Sequence, residues 1–207
     1  MSRDSLPVRA GYHHGDLRQA MIVAADTLIR DKGLEGFSLR QAARLAGVSI
    51  GAPAHHFGSV KGLLTEVALL GYESLGNYLN AVDSDGCPNR VLRRFAQAYV
   101  DFALAHMGRF RLMFRPDLVD REDPRYTAAS EKALAGFAAA IARREGAGPN
   151  RMADLFLVWS SIHGIASLAV DGKARYLFDG IDALNFAEKI LPDLLESAWP
   201  YGSVGRN

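Results

Sequence analysis

A possible nucleophile and a possible base stand together at Ser160, Ser161 and His163. Nucleophilic catalysis needs a hydroxyl, a base and an orienting group that converge from separate segments. These three residues instead lie within four consecutive positions, too close on one predicted helix to form a triad. The chain also carries no G-x-S-x-G motif, no phosphate-binding glycine loop and no paired carboxylates at metal-binding spacing. We therefore predict that the protein is not an enzyme, and we keep an all-α enzyme as an alternative.

Four of the six histidines lie near the N-terminus, at His13, His14, His55 and His56. A metal site built from them would be poor, because adjacent residues on a helix point about 100° apart. The single cysteine, Cys87, excludes an internal disulfide and is insufficient for a cysteine-based metal site. We predict no metal site and no cofactor.

Residues 37–57 predict two short helices joined by a tight turn. Ser38 is an N-cap candidate, with Gln41 three residues later to complete a capping box. Gly47 is suited to the left-handed conformation that ends a helix, and Ser49 is a second N-cap candidate. A helix that restarts after about three residues must cross the first steeply, which is helix-turn-helix geometry.

The same segment resembles the DNA-binding domain of TetR-type transcriptional regulators, which carries a run like T/S-x-R-x-I-A-x-x-A-G-V-S-x-G-x-x-Y-x-H-F. This chain supplies matching residues in order: Ser38, Arg40, Ala43, the A-G-V-S run at 46–49, Gly51 and the H-H-F run at 55–57. It departs at Pro53-Ala54, where the family has Leu-Tyr, and at Val60, where the family has lysine and this chain has Lys61 one place later. Residues 12–17 and the Trp159…His163-Gly164 segment resemble one subgroup, so the resemblance covers residues 11 to 198.

In helix-turn-helix proteins the second helix enters the major groove with its N-terminal side chains on base edges. These positions offer no hydrogen bonds here, which predicts apolar contact with thymine methyl groups, supplemented by DNA shape: Ile50, Gly51, Ala52 and Ala54. The resemblance implies phosphate contacts at Ser38, Arg40, Ser49, His55, His56 and Lys61. Two alternatives stay open, namely a protein-docking role for the helix and partial burial of His56 against the fourth helix.

Charge is unevenly distributed along the chain. Residues 1–65 hold eight Lys/Arg against five acids, a net +3, whereas the whole chain has a net charge of +1. A basic bias in the N-terminal part suits phosphate contact.

Apolar residues recur at helical spacing along most of the chain, and no strand pattern competes with them. The first helix carries Leu17, Met21 and Leu28, a helix of about 20 residues follows from Val60, and later helices cover about 91–108, 126–144, 150–170 and 181–198. We predict an all-α protein with a flexible arm at 1–12, a three-helix DNA-binding domain at 13–58 and a larger helical-bundle domain at 59–200. The longest apolar runs are too short for a bilayer and no signal sequence is visible, so we expect a cytoplasmic protein without a membrane partner.

Aromatic residues in the larger domain exceed what a plain helical bundle needs. The resemblance implies that some of them line a mainly apolar ligand pocket, with candidates Tyr99, Phe102, Met113, Phe114, Trp159 and His163. For His163, a core histidine bonded to a backbone carbonyl remains an equal alternative.

The last two helices have more apolar positions than one bundle can bury. In the resembling family the equivalent helices form an intersubunit four-helix bundle, which implies a homodimer with interface residues Leu155, Ile162, Leu184, Leu191 and Leu195. The resemblance thus implies a repressor that a small, largely apolar effector releases from a palindromic double-stranded DNA operator. An all-α enzyme or a small-molecule carrier that does not bind DNA is the alternative.

Overall fold

The computed structural model describes residues 14–142, 151–176, 181–182 and 185–200, and all regular structure in these ranges is helical. The helices are α1 (His14–Lys32), α2 (Leu39–Leu45), α3 (Ala52–Phe57), α4 (Val60–Asn80), α5 (Pro88–Ala105), α6 (Met107–Met113), α7 (Pro124–Ala142), α8 (Arg151–Val170) and α9 (Leu191–Ala198). A 3₁₀ turn covers Lys173–Tyr176, and a π-helical turn, Phe186–Ile190, runs into α9. The all-α prediction is confirmed. The predicted arm at 1–12 lies outside the described residues.

The first three helices pack around the apolar side of α1. Met21, Ala24 and Leu28 of α1 are buried together with Ala43 of α2, while Val48 and Phe57 pack against them half-buried. Met21 and Leu28 are among the apolar positions predicted for the first helix. α1 also contacts α4 and α6, so the same helix touches both parts of the chain.

The turn between α2 and α3 is longer than predicted. Gly47 has the expected left-handed backbone, with φ +69°, but Gly51 rather than Ser49 precedes the first residue of α3. The Ala52 N–H donates to the Ser49 carbonyl at 3.1 Å, which closes a separate turn before the helix begins. Pro53 then occupies the second position of α3, where the missing N–H would have had no partner within the helix.

The predicted capping box of α2 is also wrong. Ser38 precedes α2 with an extended backbone, but its side chain accepts no capping hydrogen bond. The Gln41 side chain instead accepts a hydrogen bond from the Lys32 ammonium group at 2.9 Å. The start of α2 is therefore tied to the end of α1 rather than capped by its own residues.

α4 begins next to the small domain and continues through the larger one. Its first turn is capped by Ser59, whose hydroxyl accepts from the Gly62 N–H at 3.0 Å. Along its length α4 packs against α1, α3, α5, α6 and α7. A displacement of α4 therefore changes its contacts both with α1 and α3 and with α5, α6 and α7.

α8 is apolar but poorly covered. The segment Met152–Val170 is long and apolar enough to cross a membrane by length and composition, which is weak evidence by itself, and 28% of it is buried within the chain. One face packs on α5 through Val158 and Ile162, whereas Leu157 on another face is 65% exposed.

Most of the predicted dimer residues do not lie on an open face. Ile162, Leu191 and Leu195 are buried in the chain's own core and cannot meet a second subunit, so this part of the prediction is wrong. Leu155 is half-buried, and Leu184 lies outside the described residues.

Candidate nucleic-acid interface and ligand cavity

Residues 38–61 form a surface that contains Arg40, Arg44 and Lys61 and no Asp or Glu. Most of the predicted DNA-contact residues are exposed there: Arg40, Ser49, Ile50, Gly51, Ala54, His55 and Lys61. Ser38, Ala52 and His56 are half-buried, and Ile50 presents 60% of its surface at the entry to α3. The fold therefore exposes cations and apolar side chains of this segment, which itself carries no acid. A hydrogen bond from Arg115 and also the Lys61 charge lower the pKa of Asp117 in the loop after α6.

His56 is partly covered by its own helix, and the phosphate contact predicted for it stays a prediction. Its ring lies 6.4 Å from the Phe57 ring, and the residue is half-buried at the C-terminal end of α3. His55, one position earlier, is exposed.

The C-terminal end of α3 is held by a chain of charged contacts. The Arg18 guanidinium of α1 lies 5.6 Å from the centre of the Phe57 ring, and its Nη2 is 2.6 Å from Glu66 Oε2 of α4. Glu66 Oε1 also accepts from Arg125 at 2.7 Å. The Glu66 side chain is only 12% exposed, so one shielded carboxylate links α1, α4 and the start of α7.

α6 is packed tightly between α1 and α4. A Cβ added at Gly108 would lie 2.8 Å from a methyl group of Ile29, and one added at Gly71 of α4 would lie 2.5 Å from the Met113 sulfur. At Gly108 the Ile29 carbonyl oxygen would also be only 2.9 Å away, so glycine is needed there, whereas a Cβ at Gly71 would require the Met113 side chain to move. Sequence patterning had not indicated either contact.

His163 stands at the centre of an aromatic cluster. Its ring stacks on Trp159 with centroids 5.0 Å apart and lies 4.4 Å from Phe114 and 5.3 Å from Phe110. Its Nδ1 is 2.9 Å from the Tyr99 hydroxyl, a polar partner other than the backbone carbonyl that was considered.

The Tyr99–His163 pair is uncharged near neutral pH. Burial lowers the pKa of His163 and raises the pKa of Tyr99, so both groups remain neutral. The nearby Trp159 indole lowers the pKa of Tyr99 and so acts against the effect of burial. Trp159 Nε1 itself makes no hydrogen bond of normal geometry within the described residues. With its proton on Nε2, the imidazole accepts the phenol O–H at Nδ1.

Neither serine near His163 takes part in this pair. The hydroxyls of Ser160 and Ser161 both donate to the Leu157 carbonyl, at 3.1 and 2.8 Å. Their hydrogen bonds stay within α8, so the geometry provides no nucleophile for His163.

A cavity of about 510 Å³ lies among α4, α6, α7 and α8. Three of the predicted pocket residues, Met113, Phe114 and Trp159, line it. Tyr72 and Tyr126 also line it and had not been predicted, because aromatic spacing alone does not show which side of a helix faces a cavity. The Tyr72 hydroxyl donates to Tyr126 at 3.3 Å, and Tyr126 donates to the Met113 carbonyl.

The other pocket candidates take different positions. Tyr99 and His163 lie behind the Phe114 and Trp159 side chains, and His163 borders a second cavity, of about 450 Å³, between the α1–α2 turn and helices α6 and α8. Phe102 is fully buried against Tyr78, His106 and Phe110 and lines neither of these two cavities.

The chain is similar to known proteins at the level of sequence and of structure. A family described as "Tetracyclin repressor-like, C-terminal domain" matches residues 92–190. An uncharacterized HTH-type transcriptional regulator of Mycobacterium tuberculosis, Rv0681, is 25% identical over 165 residues, which cover 80% of this chain and 73% of the relative.

Two solved structures share the fold. A protein of unknown function from Rhodococcus sp. RHA1 is 27% identical with a TM-score of 0.72, covering 92% of this chain and 97% of that one. PfmR, a TetR family transcriptional regulator from Thermus thermophilus, is 21% identical with a TM-score of 0.54, covering 84% and 96%. A helix-turn-helix surface and a region that matches a tetracyclin repressor-like C-terminal domain thus occur in one chain, and the protein is similar to TetR-type transcriptional regulators.

Proposed function

We propose that the protein is a cytoplasmic, homodimeric repressor that leaves a palindromic operator when a small molecule enters the C-terminal cavity. Residues 13–58 form its DNA-binding domain, and residues 59–200 bind the ligand and the second subunit. The main support is the segment 38–61, whose exposed residues include the cations Arg40, Arg44 and Lys61 and which carries no carboxylate of its own. A surface of this kind suits a phosphate backbone.

On this proposal the exposed residues divide into two groups. Ile50, Ala52 and Ala54 at the entry to α3 meet thymine methyl groups in the major groove. Residues with N–H or O–H donors flank them and contact phosphates: Ser38, Arg40, Ser49, His55, His56 and Lys61. The first group sets sequence preference, and the second sets affinity and its salt dependence.

The second subunit covers the open face of α8. Leu157, Ser161, Gly164 and Leu168 follow one another at intervals of four, three and four residues, so they share one side of the helix. Leu157 and Leu168 are exposed, and nothing lies within 4 Å of a Cβ added at Gly164. Small residues between two leucines allow two copies of α8 to approach closely, and a two-fold contact is the commonest way for identical chains to associate.

Ligand binding acts on the DNA-binding domain by displacing α6 and α4. Met113 at the end of α6 borders the cavity and contacts Gly71 of α4, while Gly108 of the same helix contacts Ile29 of α1. A ligand that displaces Met113 therefore acts on both helices that reach the DNA-binding domain. Such a displacement in each subunit changes the separation of the two α3 helices, which must match one turn of B-DNA, about 34–36 Å.

The proposal is tested by selecting bound duplexes from a random-sequence library with the full-length protein. We expect an enriched palindrome whose affinity falls steeply as salt rises. The Arg40→Ala variant is selected in parallel, and it should bind all sequences more weakly and by a similar factor. A library that shows no enriched site would instead favour an all-α carrier or enzyme.

A further inference from the structure

The 510 Å³ cavity is lined by two kinds of side chain. Met113, Phe114, Pro116, Leu134 and Trp159 are mainly apolar. Hydroxyl groups and one guanidinium come from Tyr72, Tyr126, Thr127, Ser130 and Arg121. A ligand that satisfies both kinds must itself be amphipathic.

Arg121 brings a positive charge to the mouth of this cavity. Its neighbours Arg115 and Arg125 both pair with carboxylates, whereas no carboxylate among the described residues pairs with Arg121. Burial and the hydrogen bond with Tyr126 raise the pKa of Tyr72, and the Arg121 charge opposes that rise.

Most other donors in the lining are already engaged. Tyr72 donates to Tyr126, Tyr126 donates to the Met113 carbonyl, and the Ser130 hydroxyl donates to the Thr127 carbonyl at 2.8 Å. Within the part of the chain that the structure describes, this leaves the Arg121 guanidinium, the Thr127 hydroxyl and the buried Trp159 indole N–H as side-chain donors, and only Arg121 carries a charge. A guanidinium presents two parallel N–H groups, which match the two oxygens of a carboxylate.

A second space of about 260 Å³ adjoins the cavity and shares Leu134 and Trp159 with it. It is otherwise lined by apolar residues of α7 and α8: Phe137, Ala138, Met152, Leu155 and Phe156. The surroundings of Leu134 and Trp159 are therefore apolar on both sides of these residues.

We propose that the effector is an amphipathic monocarboxylic acid, with its carboxylate on Arg121 and its apolar body against Phe114 and Trp159, whose rings contact each other with centroids 6.3 Å apart. This ligand assignment rests on the proposed function, because it names the effector that enters the C-terminal cavity. Asp120, next to Arg121, donates its backbone N–H to the Thr65 hydroxyl of α4 at 2.8 Å. A carboxylate held by Arg121 thus acts on a loop that is bonded directly to α4.

The test compares acids with neutral molecules of the same skeleton, by calorimetry on the full-length protein. The probes are decanoate with 1-decanol and 2-naphthoate with 2-naphthamide. We expect at least one acid to bind about tenfold or more tightly than its neutral partner, because a hydrogen bond to a charged group is the stronger kind. Arg121→Gln should remove this difference and Arg121→Lys should retain part of it. Arg175→Gln, which removes an exposed arginine outside both spaces, should leave it unchanged.

Three results would overturn the ligand assignment: no acid binds, each neutral partner binds as tightly as its acid, or Arg121→Gln binds the acids as the parent protein does. Selection of DNA by the same samples without ligand is measured separately. If an operator is selected and acids fail, the regulator hypothesis stands and only the ligand class is wrong. If acids bind through Arg121 and no operator is selected, the ligand class stands and the proposed function fails.

Discussion

The Asp26 carboxylate of α1 and the Arg109 guanidinium of α6 form a two-bond ion pair, with Arg109 Nε 2.7 Å from Oδ1 and Nη2 2.6 Å from Oδ2. The two side chains are only 16% and 22% exposed, and the bond to Asp26 raises the pKa of Arg109. Arg109 also donates to the Ser74 hydroxyl of α4 at 2.9 Å. A single cation therefore joins the DNA-binding part of the chain to α6 and α4.

Asp26→Asn should destabilise the protein, because it leaves the shielded Arg109 charge without its counter-charge. We expect the free energy of unfolding in urea to fall by about 1–3 kcal/mol. Asp171→Asn is a matched control, since its partner Arg111 and Asp171 itself are 42% and 37% exposed. It should cost less than about 1 kcal/mol. Equal losses in the two variants would contradict a structural role for the Asp26–Arg109 pair.

Arg40→Ala and Ile50→Ala should affect DNA binding in different ways. Arg40→Ala removes an exposed cation that meets phosphate, so it should weaken binding to all sequences and reduce the salt slope by about one contact per subunit. Ile50→Ala removes an apolar tip, so it should relax the preference at one base pair of each half-site and leave the salt slope nearly unchanged. Salt titrations with selected and random duplexes measure both quantities. The assignment of the two residues is wrong if their effects are exchanged or identical.

Local sequence patterns predicted the helices well because each one depends on nearby residues. The apolar spacing predicted α4 and α8. Gly47 has the predicted left-handed backbone. The start of α3 was misplaced because a serine cap candidate at 49 competes with a turn that continues to Gly51, and only backbone hydrogen bonding decides between them. Asp26 and Arg109 are 83 positions apart, so no local pattern indicates their contact.

The site residues show a second limit of sequence patterns. Periodicity identified Phe102 and Leu191 as apolar, but it does not show whether a ligand, a second subunit or the chain itself covers them. Both are fully buried by the chain itself. Tyr72 was missed for the same reason, since the direction in which it faces depends on how α4 packs against α7.

Acidic pH should destabilise the protein through His163 and His106. Burial lowers the pKa of both below the ordinary value of 6.5, and the Arg109 charge lowers that of His106 further. Their contribution is fully present above the unfolded-state pKa and is lost as pH falls below about 6.5, because the unfolded chain then binds more protons. Unfolding in urea between about pH 7.5 and 5.5 should show this slope.

His163→Gln should reduce that pH slope, and His163→Gln combined with His106→Gln should reduce it further. The substitutions remove the protons that the unfolded chain takes up, whatever their effect on stability at neutral pH. If the double variant keeps the slope of the parent protein, groups other than these two histidines cause the pH dependence.

Charges placed on two leucines of the C-terminal helices should separate subunit contact from folding. Leu157 is 65% exposed on α8 at the proposed subunit contact, whereas Leu191 of α9 is completely buried in the chain's own core. Leu157→Glu should therefore yield a folded monomer with normal helical content and weak operator binding, since a palindromic site needs two linked α3 helices. Leu191→Glu should instead unfold the chain or lower its stability by several kcal/mol, because it buries a carboxylate.

Sedimentation, circular dichroism and DNA binding are measured on both variants. A Leu157→Glu protein that remains dimeric would place the subunit contact on another face, and a monomer with full operator affinity would show that DNA binding does not need the dimer.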